Sequence, residues 1–477
     1  MPDEEAREFA EAKRGLVVAP AGCGKTELIV RAVRQNQGRQ LVLTHTHAGV
    51  RALRNRFKKL GVSPKHVQVD TIDGWALKYA RAFSTVSGLG MRKPPDVPWP
   101  EIREAGAEAL KLRAARKVIA RTYAGAYIDE YQDCSSRQHA LLTILDDTLG
   151  CKIVGDPLQA IFDFDKSDPL ANWSTEVEEH YPSLFQLHFP WRWEGINEDL
   201  GKWLLTARQS ILQEKPLDLN LAVLRWCSVT DPRSTSIMQL AECRRLGKCD
   251  GESVVAIHGI NNQCYVLGKK LRGHYTCLEA IYSKDLLAWA EKIESASGHQ
   301  RAVAVIDFAK ICLTMFPDVL RSLLGKFASS ELPTSRLAKQ YPDLRGALTK
   351  IAASSSLGAV AATLEEIDCL PEVRFHRLEL WKSMRKAVAI HSQDSAHNLR
   401  DSAIKVREQV RHIGRSSGRR TIATTLLIKG QEFDHAIVLD ADGLQPADLY
   451  VALTRGAKSI TVFSNRQTIE PRHPQKQ

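Results

Sequence analysis

The 477-residue sequence lacks any apolar run of about 18 residues, the length that a helix needs to cross a bilayer. Its first residues, Met1-Pro2-Asp3-Glu4-Glu5, are acidic and differ from the positively charged start of a signal peptide. Tandem repeats and low-complexity tracts are also missing. These absences predict a cytoplasmic protein that has no membrane partner.

Closely spaced cysteines are a second absence. None of the ten cysteines forms a C-x-x-C pair, and the two that lie closest along the chain are Cys243 and Cys249. This spacing favours reduced, mostly buried thiols over a zinc or iron–sulfur site.

The composition is that of a globular protein with an excess of positive charge. Apolar residues make up 44% and charged residues 25%, and the length suffices for two to four domains. The net charge is +11, and residues 371–420 contribute twelve Lys and Arg against five Asp and Glu. A polyanion, with nucleic acid first, is the indicated partner, although a merely basic surface would give the same balance.

A loop of small residues follows the short apolar strand that ends at Val17-Val18, and a helical pattern follows the loop. Such a strand–loop–helix cradles phosphates with backbone N–H groups and a helix N-terminus, with Lys25 on the β- and γ-phosphates and the Thr26 hydroxyl on Mg²⁺. Ala19 stands where the strict G-x-x-x-x-G-K-[ST] pattern has its first glycine, so a chance match or a decayed loop is the alternative. The predicted nucleotide-binding residues are Ala21, Gly22, Cys23, Gly24, Lys25, Thr26 and Glu27.

Strand-like segments alternate with helical ones around this loop, which predicts a parallel α/β sheet. Residues 84–100 contain four prolines, and one basic helix is predicted near 101–120, so the two together form a predicted insertion. Residues 307–415 are mostly helical in pattern. A second α/β part follows, with strands expected near 422–426, 436–439 and 460–463.

Two carboxylates, Asp129 and Glu130, end another apolar strand. A phosphate-bound Mg²⁺ needs a carboxylate, which suits Asp129, and hydrolysis needs a base that orients water, which suits Glu130. A solvated acidic pair at the end of a strand is the alternative for these two residues alone.

Five further segments follow the loop in a fixed order: Asp129-Glu130-Tyr131-Gln132-Asp133, Ile153-Val154-Gly155-Asp156-Pro157-Leu158-Gln159, Trp191-Arg192, Lys429-Gly430-Gln431-Glu432-Phe433-Asp434 and Tyr450-Val451-Ala452-Leu453-Thr454-Arg455. Together with the loop, this ordered set resembles the UvrD/Rep family of superfamily 1A helicases. The resemblance implies an α/β fold with two RecA-like P-loop lobes, parallel sheets and short, mostly helical insertions. The implied boundaries are 1–80 with 121–185 for the first lobe, 81–120 for its insertion, 186–300 with 416–477 for the second lobe, and 301–415 for the second insertion.

The resemblance also implies a role for individual residues. Its cofactors are ATP and Mg²⁺, with Thr26 and Asp129 on the metal and Gln159 sensing the γ-phosphate. Trp191 takes the place of an aromatic that stacks on adenine, and Gly430 and Glu432 are expected near the ribose. The implied catalytic residues are Lys25, Glu130, Gln159, Arg192 and Arg455. The implied contacts to single-stranded or tailed duplex DNA are Thr44, His45, Thr71, Phe162, Phe164 and Thr424.

Several positions depart from the family pattern. Asp73 stands where relatives have a histidine that contacts DNA, and Asp163 and Asp165 stand where relatives have arginines. Carboxylates beside a phosphate backbone oppose binding. No glutamine precedes the P-loop within residues 1–15, so adenine selectivity is left open, and the short insertions make unwinding less secure than ATPase activity.

Three functions compete at this point. The first is an ATP-dependent translocase or helicase that moves 3′ to 5′ on single-stranded DNA, in DNA repair or anti-phage defence. The second follows from short matches, Ile128–Asp133 and Thr71–Trp75, that are similar to the compact helicase subunit of Gabija anti-phage systems. It is a nucleotide-sensing switch that regulates an OLD-family nuclease partner without robust unwinding. The third is a nucleic-acid-binding protein with a decayed P-loop.

Overall fold

The computed structural model describes residues 3–90, 92, 97–162, 165–219, 222–279, 284–331, 339–353, 357–371, 373–393, 398–413 and 418–471, with side chains omitted at 410–413. The chain divides into two compact units. The first unit contains Met1–Arg225, Asp442–Ile460 and Gln467–Gln477, and the second contains Trp226–Ala441 and Thr461–Arg466.

The described strands fall into two six-stranded sheets and one two-stranded pair. In chain order they are β1 Gly15–Val18, β2 Gln40–Thr44, β3 Val67–Thr71, β4 Gly125–Ile128, β5 Cys151–Gly155, β6 Ser183–Gln186, β7 Leu217–Asp218, β8 Arg225–Ser228, β9 Val254–Ile257, β10 Thr276–Cys277, β11 Arg420–Ala423, β12 Phe433–Val438, β13 Gly456–Ser464 and β14 Thr468–Ile469.

The first sheet has the order β3-β2-β4-β5-β1-β6, and its neighbouring strands pair in parallel. Helices cover both of its faces, so central strands such as β2 are buried along their whole length. Leu41 and Leu43 pack into the hydrophobic cluster on one face, and Val42 packs into the cluster on the other. The carboxyl ends of these parallel strands therefore meet at one edge, where ligands bind in open α/β sheets.

Helices connect these strands. In the first unit the α-helices are Asp3–Glu11, Lys25–Gln35, His47–Lys59, Ile72–Ala82, Ser84–Ser87, Trp99–Lys111, Arg113–Thr122, Ser136–Leu149, Glu178–His180, Glu198–Leu212 and Pro446–Leu453. Shorter 3₁₀ turns lie at Tyr131–Asp133, Pro157–Gln159 and Trp191–Trp193, and a π-helical turn lies at Trp173–Val177.

The second sheet has the order β10-β11-β9-β12-β13-β8, in which β10, β11, β9 and β12 pair in parallel. Within the described residues of the second unit, the α-helices are Pro232–Leu246, Asn261–Lys270, Lys284–Ser295, Gly298–Cys312, Asp318–Ala328, Pro342–Ala353, Gly358–Asp368, Leu378–Gln393, Leu399–Ile413 and Thr425–Ile428. From Lys284 onward the helices up to Ile413 share one hydrophobic core, in which Phe308 stacks on Trp381. The predicted α/β class with two parallel sheets and mostly helical insertions is confirmed.

Two local predictions were wrong. The single helix expected over 101–120 is two helices, because Leu112 is extended and Arg116 Nε donates to the Leu110 carbonyl at the helix end. The strand expected to reach 426 stops at Ala423, since its partner β9 ends at Ile257. Helix Gly298–Cys312 includes residue 301, where an insertion boundary is predicted, and that boundary stays a prediction.

The predicted lobe boundaries remain predictions. Residues 186–225 and 442–460 pack with the unit that carries the P-loop, although both segments were assigned to the second lobe. Among the described residues, no helix combines the length and apolarity that crossing a bilayer would require. The ten cysteines are free thiols in this structure, and seven of them are buried.

One partly buried ion network fastens the first insertion to helix Ile72–Ala82, which follows β3. Arg103, on helix Trp99–Lys111, donates to both carboxylate oxygens of Asp73 at 2.9 Å and to Asp168 at 2.6 Å. Burial works to raise the pKa of Asp73, but the hydrogen bonds and charge of Arg103 outweigh it, and the pKa lies below the ordinary value. Asp73, one of the departures from the family pattern, thus holds an insertion helix in place.

Replacing Arg103 by methionine is expected to cost about 3–5 kcal/mol, because it removes the arginine that bridges the partly buried Asp73 and the buried Asp168. Lys111→Met on the same helix is the matched control, since Lys111 pairs with Glu108 at the surface and such pairs contribute little. Urea unfolding of both variants measures the difference. A lowered Asp73 pKa adds stability above the ordinary carboxyl pKa, so the wild-type advantage is full above about pH 5 and shrinks as the pH falls.

Candidate nucleotide-binding site

The P-loop joins β1 to helix Lys25–Gln35. Gly22 and Gly24 have φ values of 74° and 92°, in the left-handed region that glycine adopts without strain. A Cβ on Gly22 would lie 2.3 Å from a ring carbon of Trp193, so the close approach also requires glycine. The loop therefore presents backbone N–H groups and a helix N-terminus at the carboxyl edge of the sheet, the arrangement that binds phosphate.

Lys25 begins the helix, and its ammonium contacts the acidic pair at the end of β4. Lys25 Nζ lies 2.9 Å from Glu130 Oε2. Burial by itself lowers the pKa of Lys25, but the surrounding carboxylates, Glu130 first, outweigh it and hold the pKa above the ordinary value. The lysine is therefore a fixed cation at the mouth of the P-loop.

Asp129 and Glu130 differ in their surroundings. Asp129 is buried, and burial together with the charge of Glu130 raises its pKa to about 7, although Lys25 opposes the shift. Glu130 has φ 56° and ψ 43°, a left-handed conformation for a residue with a side chain. Such a backbone costs about 1–3 kcal/mol and is found mostly at functional sites. The bend aims Glu130 at Lys25 and lets Asp129 Oδ1 accept the Glu130 N–H at 3.0 Å.

A buried polar network extends from Glu130 to the turn after β5. Gln132 donates to Glu130 Oε2 at 2.6 Å and accepts the Asp156 N–H at 3.0 Å. Asp156, which has no exposed surface, accepts from Gln159 at 2.9 Å and from Arg208 at 2.8 Å. The predicted γ-phosphate sensor Gln159 is thus positioned by a carboxylate that is itself held by an arginine.

The segment from Trp191 to Trp193 and the C-terminal part of the first unit lie against the P-loop. The Arg192 N–H donates to the Gly22 carbonyl at 3.1 Å, and Arg192 Nη1 donates to the Thr454 carbonyl at 2.6 Å. The Tyr450 hydroxyl accepts the Ala21 N–H at 3.1 Å. The P-loop therefore contacts a residue, Tyr450, that lies 429 positions after Ala21 along the chain.

Arg455 lies at the end of helix Pro446–Leu453 and is 2% exposed. Its Nε donates to the Val451 carbonyl and its Nη2 to Thr454 Oγ1, both at 2.8 Å. Arg192 donates to the Thr454 carbonyl, so the two predicted phosphate-neutralising arginines, Arg192 and Arg455, both contact Thr454. The structure brings Lys25, Glu130, Gln159, Arg192 and Arg455 into one compact unit.

The residues present fit a magnesium nucleotide. Gly22 and Gly24 supply the left-handed backbone of the loop, and Lys25 supplies a positive charge beside it. Thr26 follows in the first turn of the helix, and its hydroxyl and the Asp129 carboxylate are the oxygen ligands that Mg²⁺ prefers. The roles of these residues remain predictions.

Other predicted nucleotide contacts have different surroundings. Glu27 pairs with Arg31 at 2.7 Å and with Arg56 at 2.5 Å, and despite its partial burial these two cations lower its pKa. Cys23 is buried, which raises the pKa of its thiol to about 12. Trp191 is half-buried and contacts Phe189, with ring centroids 4.3 Å apart.

The two ribose candidates belong to the second unit. Gly430 has φ 76° and Glu432 is exposed, on either side of the turn that leads into β12. Their role stays a prediction.

The predicted DNA contacts follow the carboxyl ends of the strands. Thr44 and Thr71 are register partners at the ends of β2 and β3. Thr71 Oγ1 accepts the Gly74 N–H at 3.0 Å and so caps helix Ile72–Ala82. His45 Nε2 lies 3.5 Å from Cys134 Sγ, and Phe162 is half-buried.

Two other predicted DNA contacts lie elsewhere. Thr424 belongs to the second unit, where it is buried at the end of β11. Phe164, like Asp163 beside it, lies outside the described residues. The six predicted DNA contacts therefore stay predictions.

Four residues of the site were not predicted from the sequence: Asp156, Trp193, Arg208 and Tyr450. A signal was available for Arg208, which lies on the buried stripe of helix Glu198–Leu212 with Leu204 and Ile211. A charged residue on an apolar stripe indicates a buried partner. Trp193, which packs on Gly22 and donates to the Gly456 carbonyl at 3.0 Å, has no comparable signal.

Solved helicases align with the chain at low identity. An arterivirus nonstructural protein 10 helicase, solved with DNA, is 12% identical, and the alignment covers 97% of this chain and 63% of that one with a TM-score of 0.35. A Pif1 helicase from Bacteroides, solved with ADP-AlF3 and ssDNA, is also 12% identical, and the alignment covers 56% of this chain and 55% of that one with a TM-score of 0.32. The chain thus spans less than two thirds of the length of either structure.

Sequence comparison gives a partial match. No curated protein matches the chain. Residues 3–165, however, match the family model of an AAA domain. The segment that carries the P-loop, Asp129, Glu130 and Gln159 is therefore similar to an AAA domain.

Proposed function

We propose that the chain is an ATP hydrolase that moves along single-stranded DNA in the 3′-to-5′ direction. The observation that carries the proposal is the 2.9 Å ion pair between Lys25 and Glu130, at a P-loop beside the buried carboxylate of Asp129. The AAA-domain match over residues 3–165 supports the nucleotide-binding part. The direction and the substrate come from the resemblance to UvrD/Rep helicases.

In the proposed cycle, Lys25 exchanges Glu130 for the β- and γ-phosphates. Glu130 is then free to take a proton from the attacking water. Gln159, oriented by Asp156, reports the γ-phosphate, and Arg192 and Arg455 neutralise the charge that develops on it. Thr26 and Asp129 would hold Mg²⁺, which would add charge neutralisation at the phosphates.

The proposal is tested by ATP turnover with and without single-stranded DNA, together with strand displacement from a 3′-tailed duplex. We expect DNA to raise the turnover number several-fold and a 5′-tailed duplex to remain paired. Lys25→Ala is the inactive reference, since it removes the phosphate-binding cation. Turnover that no DNA or RNA stimulates would contradict the motor function but leave ATP hydrolysis intact.

A second function, a nucleotide-sensing switch that controls an OLD-family nuclease, is favoured by one observation. Asp73, at a DNA-contact position of helicases, is paired with Arg103 and fixes an insertion helix. A chain that uses this position for structure has one contact fewer for moving DNA. Under this function, ATP turnover persists, strand displacement fails, and Lys25→Ala abolishes control of the nuclease.

A further inference from the structure

A turn in the second unit brings metal-ligating side chains together, far along the chain from the P-loop. Cys249, Asp250, Gly251 and Glu252 form this turn between helix Pro232–Leu246 and β9. The Glu252 N–H donates to the Cys249 carbonyl at 3.4 Å, and Gly251 has φ 81°. A left-handed glycine at the third position is typical of a tight β-turn. The turn holds Cys249 and Glu252 close together.

The turn is fixed against β12, which contributes a histidine. The His435 N–H donates to the Ser253 carbonyl at 3.0 Å, and Asp434 Oδ2 accepts from the Ser253 N–H at 2.8 Å. His435 is 8% exposed, and its Nε2 lies 2.6 Å from Glu252 Oε2. The arrangement of the turn and the strand is therefore set by backbone contacts before any ligand binds.

Three potential ligand atoms converge at this place. The Cys249 sulfur, a Glu252 carboxylate oxygen and a His435 ring nitrogen all lie within 4.8 Å of one another. Zinc bound to thiolate, imidazole and carboxylate has metal–ligand distances of about 2.0–2.3 Å, so its ligand atoms stand roughly 3–4 Å apart. Small side-chain rotations suffice to reach that spacing.

A cavity of about 330 Å³ is lined by two of the three residues, Cys249 and Glu252, and also by Asp250 and His274. It gives an ion a route of entry and leaves room for a fourth ligand or water. Arg419 and Arg420 also line the cavity, and both would repel a cation. A thiolate and a carboxylate together carry two negative charges, which match a divalent ion.

We propose that Cys249, Glu252 and His435 bind a divalent transition-metal ion, Zn²⁺ by preference. The mixture of a soft sulfur, an imidazole and a carboxylate selects Zn²⁺ over Mg²⁺ or Ca²⁺, which take oxygen ligands. The ion joins the turn at 249–252 to β12, in addition to the backbone hydrogen bonds. The proposal does not rest on the proposed function, because none of the three residues is a predicted nucleotide or DNA contact.

The test uses the full-length protein, stripped with a chelator and titrated with Co²⁺ and then Zn²⁺. We expect a thiolate-to-cobalt charge-transfer band that saturates at one ion per chain, and displacement of Co²⁺ by Zn²⁺. Cys249→Ser abolishes the band, and Glu252→Gln lowers the Zn²⁺ affinity at least about 10-fold. Cys369→Ser is the matched control, since Cys369 is an exposed cysteine elsewhere in the second unit.

The titration of wild-type protein tests the site even if a variant fails to fold. A Co²⁺ spectrum without a thiolate band overturns the proposal, and so does a band that disappears equally in Cys369→Ser. Either result means that His435 and Glu252 form an ordinary hydrogen bond beside a thiol. Circular dichroism of each variant separates loss of metal from loss of fold.

Discussion

Glu130→Gln is expected to lower ATP turnover by about 10²–10⁴-fold, the usual contribution of a general base. Glutamine keeps the size of the side chain and can still contact Lys25 through its carbonyl oxygen, but it cannot accept the proton of the attacking water. Nucleotide binding should change little. Steady-state turnover and equilibrium binding of a fluorescent ATP analogue measure the two effects separately.

Glu8→Gln serves as the matched control, because Glu8 is an exposed residue on helix Asp3–Glu11 of the same unit. It should leave turnover unchanged. Should Glu130→Gln instead retain wild-type turnover, Glu130 would be only the ion-pair partner of Lys25. Its left-handed backbone would then have no catalytic explanation.

Arg455→Lys is expected to lower turnover by about 10³-fold or more, in the range that arginine fingers contribute. Lysine keeps the positive charge but not the planar fork that bonds Val451 and Thr454 and can also face a phosphate. Single-turnover hydrolysis at saturating ATP isolates the chemical step.

Arg7→Lys is the control for this substitution, since Arg7 pairs with Glu11 on an exposed helix face. A structural role for Arg455 would give a different pattern. Melting temperature would fall and turnover per folded molecule would stay near that of the wild type. That pattern would remove Arg455 from the catalytic set.

The sequence predicted the parts of the site that depend on local chemistry. The loop at 19–26 and the pair Asp129–Glu130 each consist of adjacent residues that follow an apolar strand, and the structure places them after β1 and β4. Their roles at the nucleotide stay predictions. The α/β class followed from the same alternation of strands and helices. Their common position at the carboxyl edge is a consequence of parallel pairing.

Long-range pairings could not be predicted in this way. The partner of Asp73 is Arg103 on an inserted helix. The sequence around either residue does not indicate that the two form an ion pair. The three candidate metal ligands are likewise far apart along the chain. Cys249 and Glu252 lie on one turn, whereas His435 lies on β12, 183 positions after Glu252. A motif such as C-x-x-C can be found from its fixed spacing. These three ligands have no such spacing, because the histidine stands alone on its strand.

Neighbouring aromatic residues show a subtler limit. Trp191 and Trp193 occupy one 3₁₀ turn, yet Trp193 is 1% exposed and packs on Gly22, whereas Trp191 contacts Phe189. Two positions along such a turn change the direction of the side chain by more than a right angle. The sequence indicated an aromatic residue near the loop but not the distinct roles of the two rings.

The bond between the Tyr450 hydroxyl and the Ala21 amide has a consequence for biosynthesis. Ala21, Leu158, Ile211 and Tyr450 form one small hydrophobic cluster. At about 5–20 residues per second, the ribosome takes roughly 12–48 seconds to add the chain between Ile211 and Tyr450. During that interval Ala21, Leu158 and Ile211 cannot yet pack against Tyr450, so we expect these apolar side chains to be accessible to chaperones.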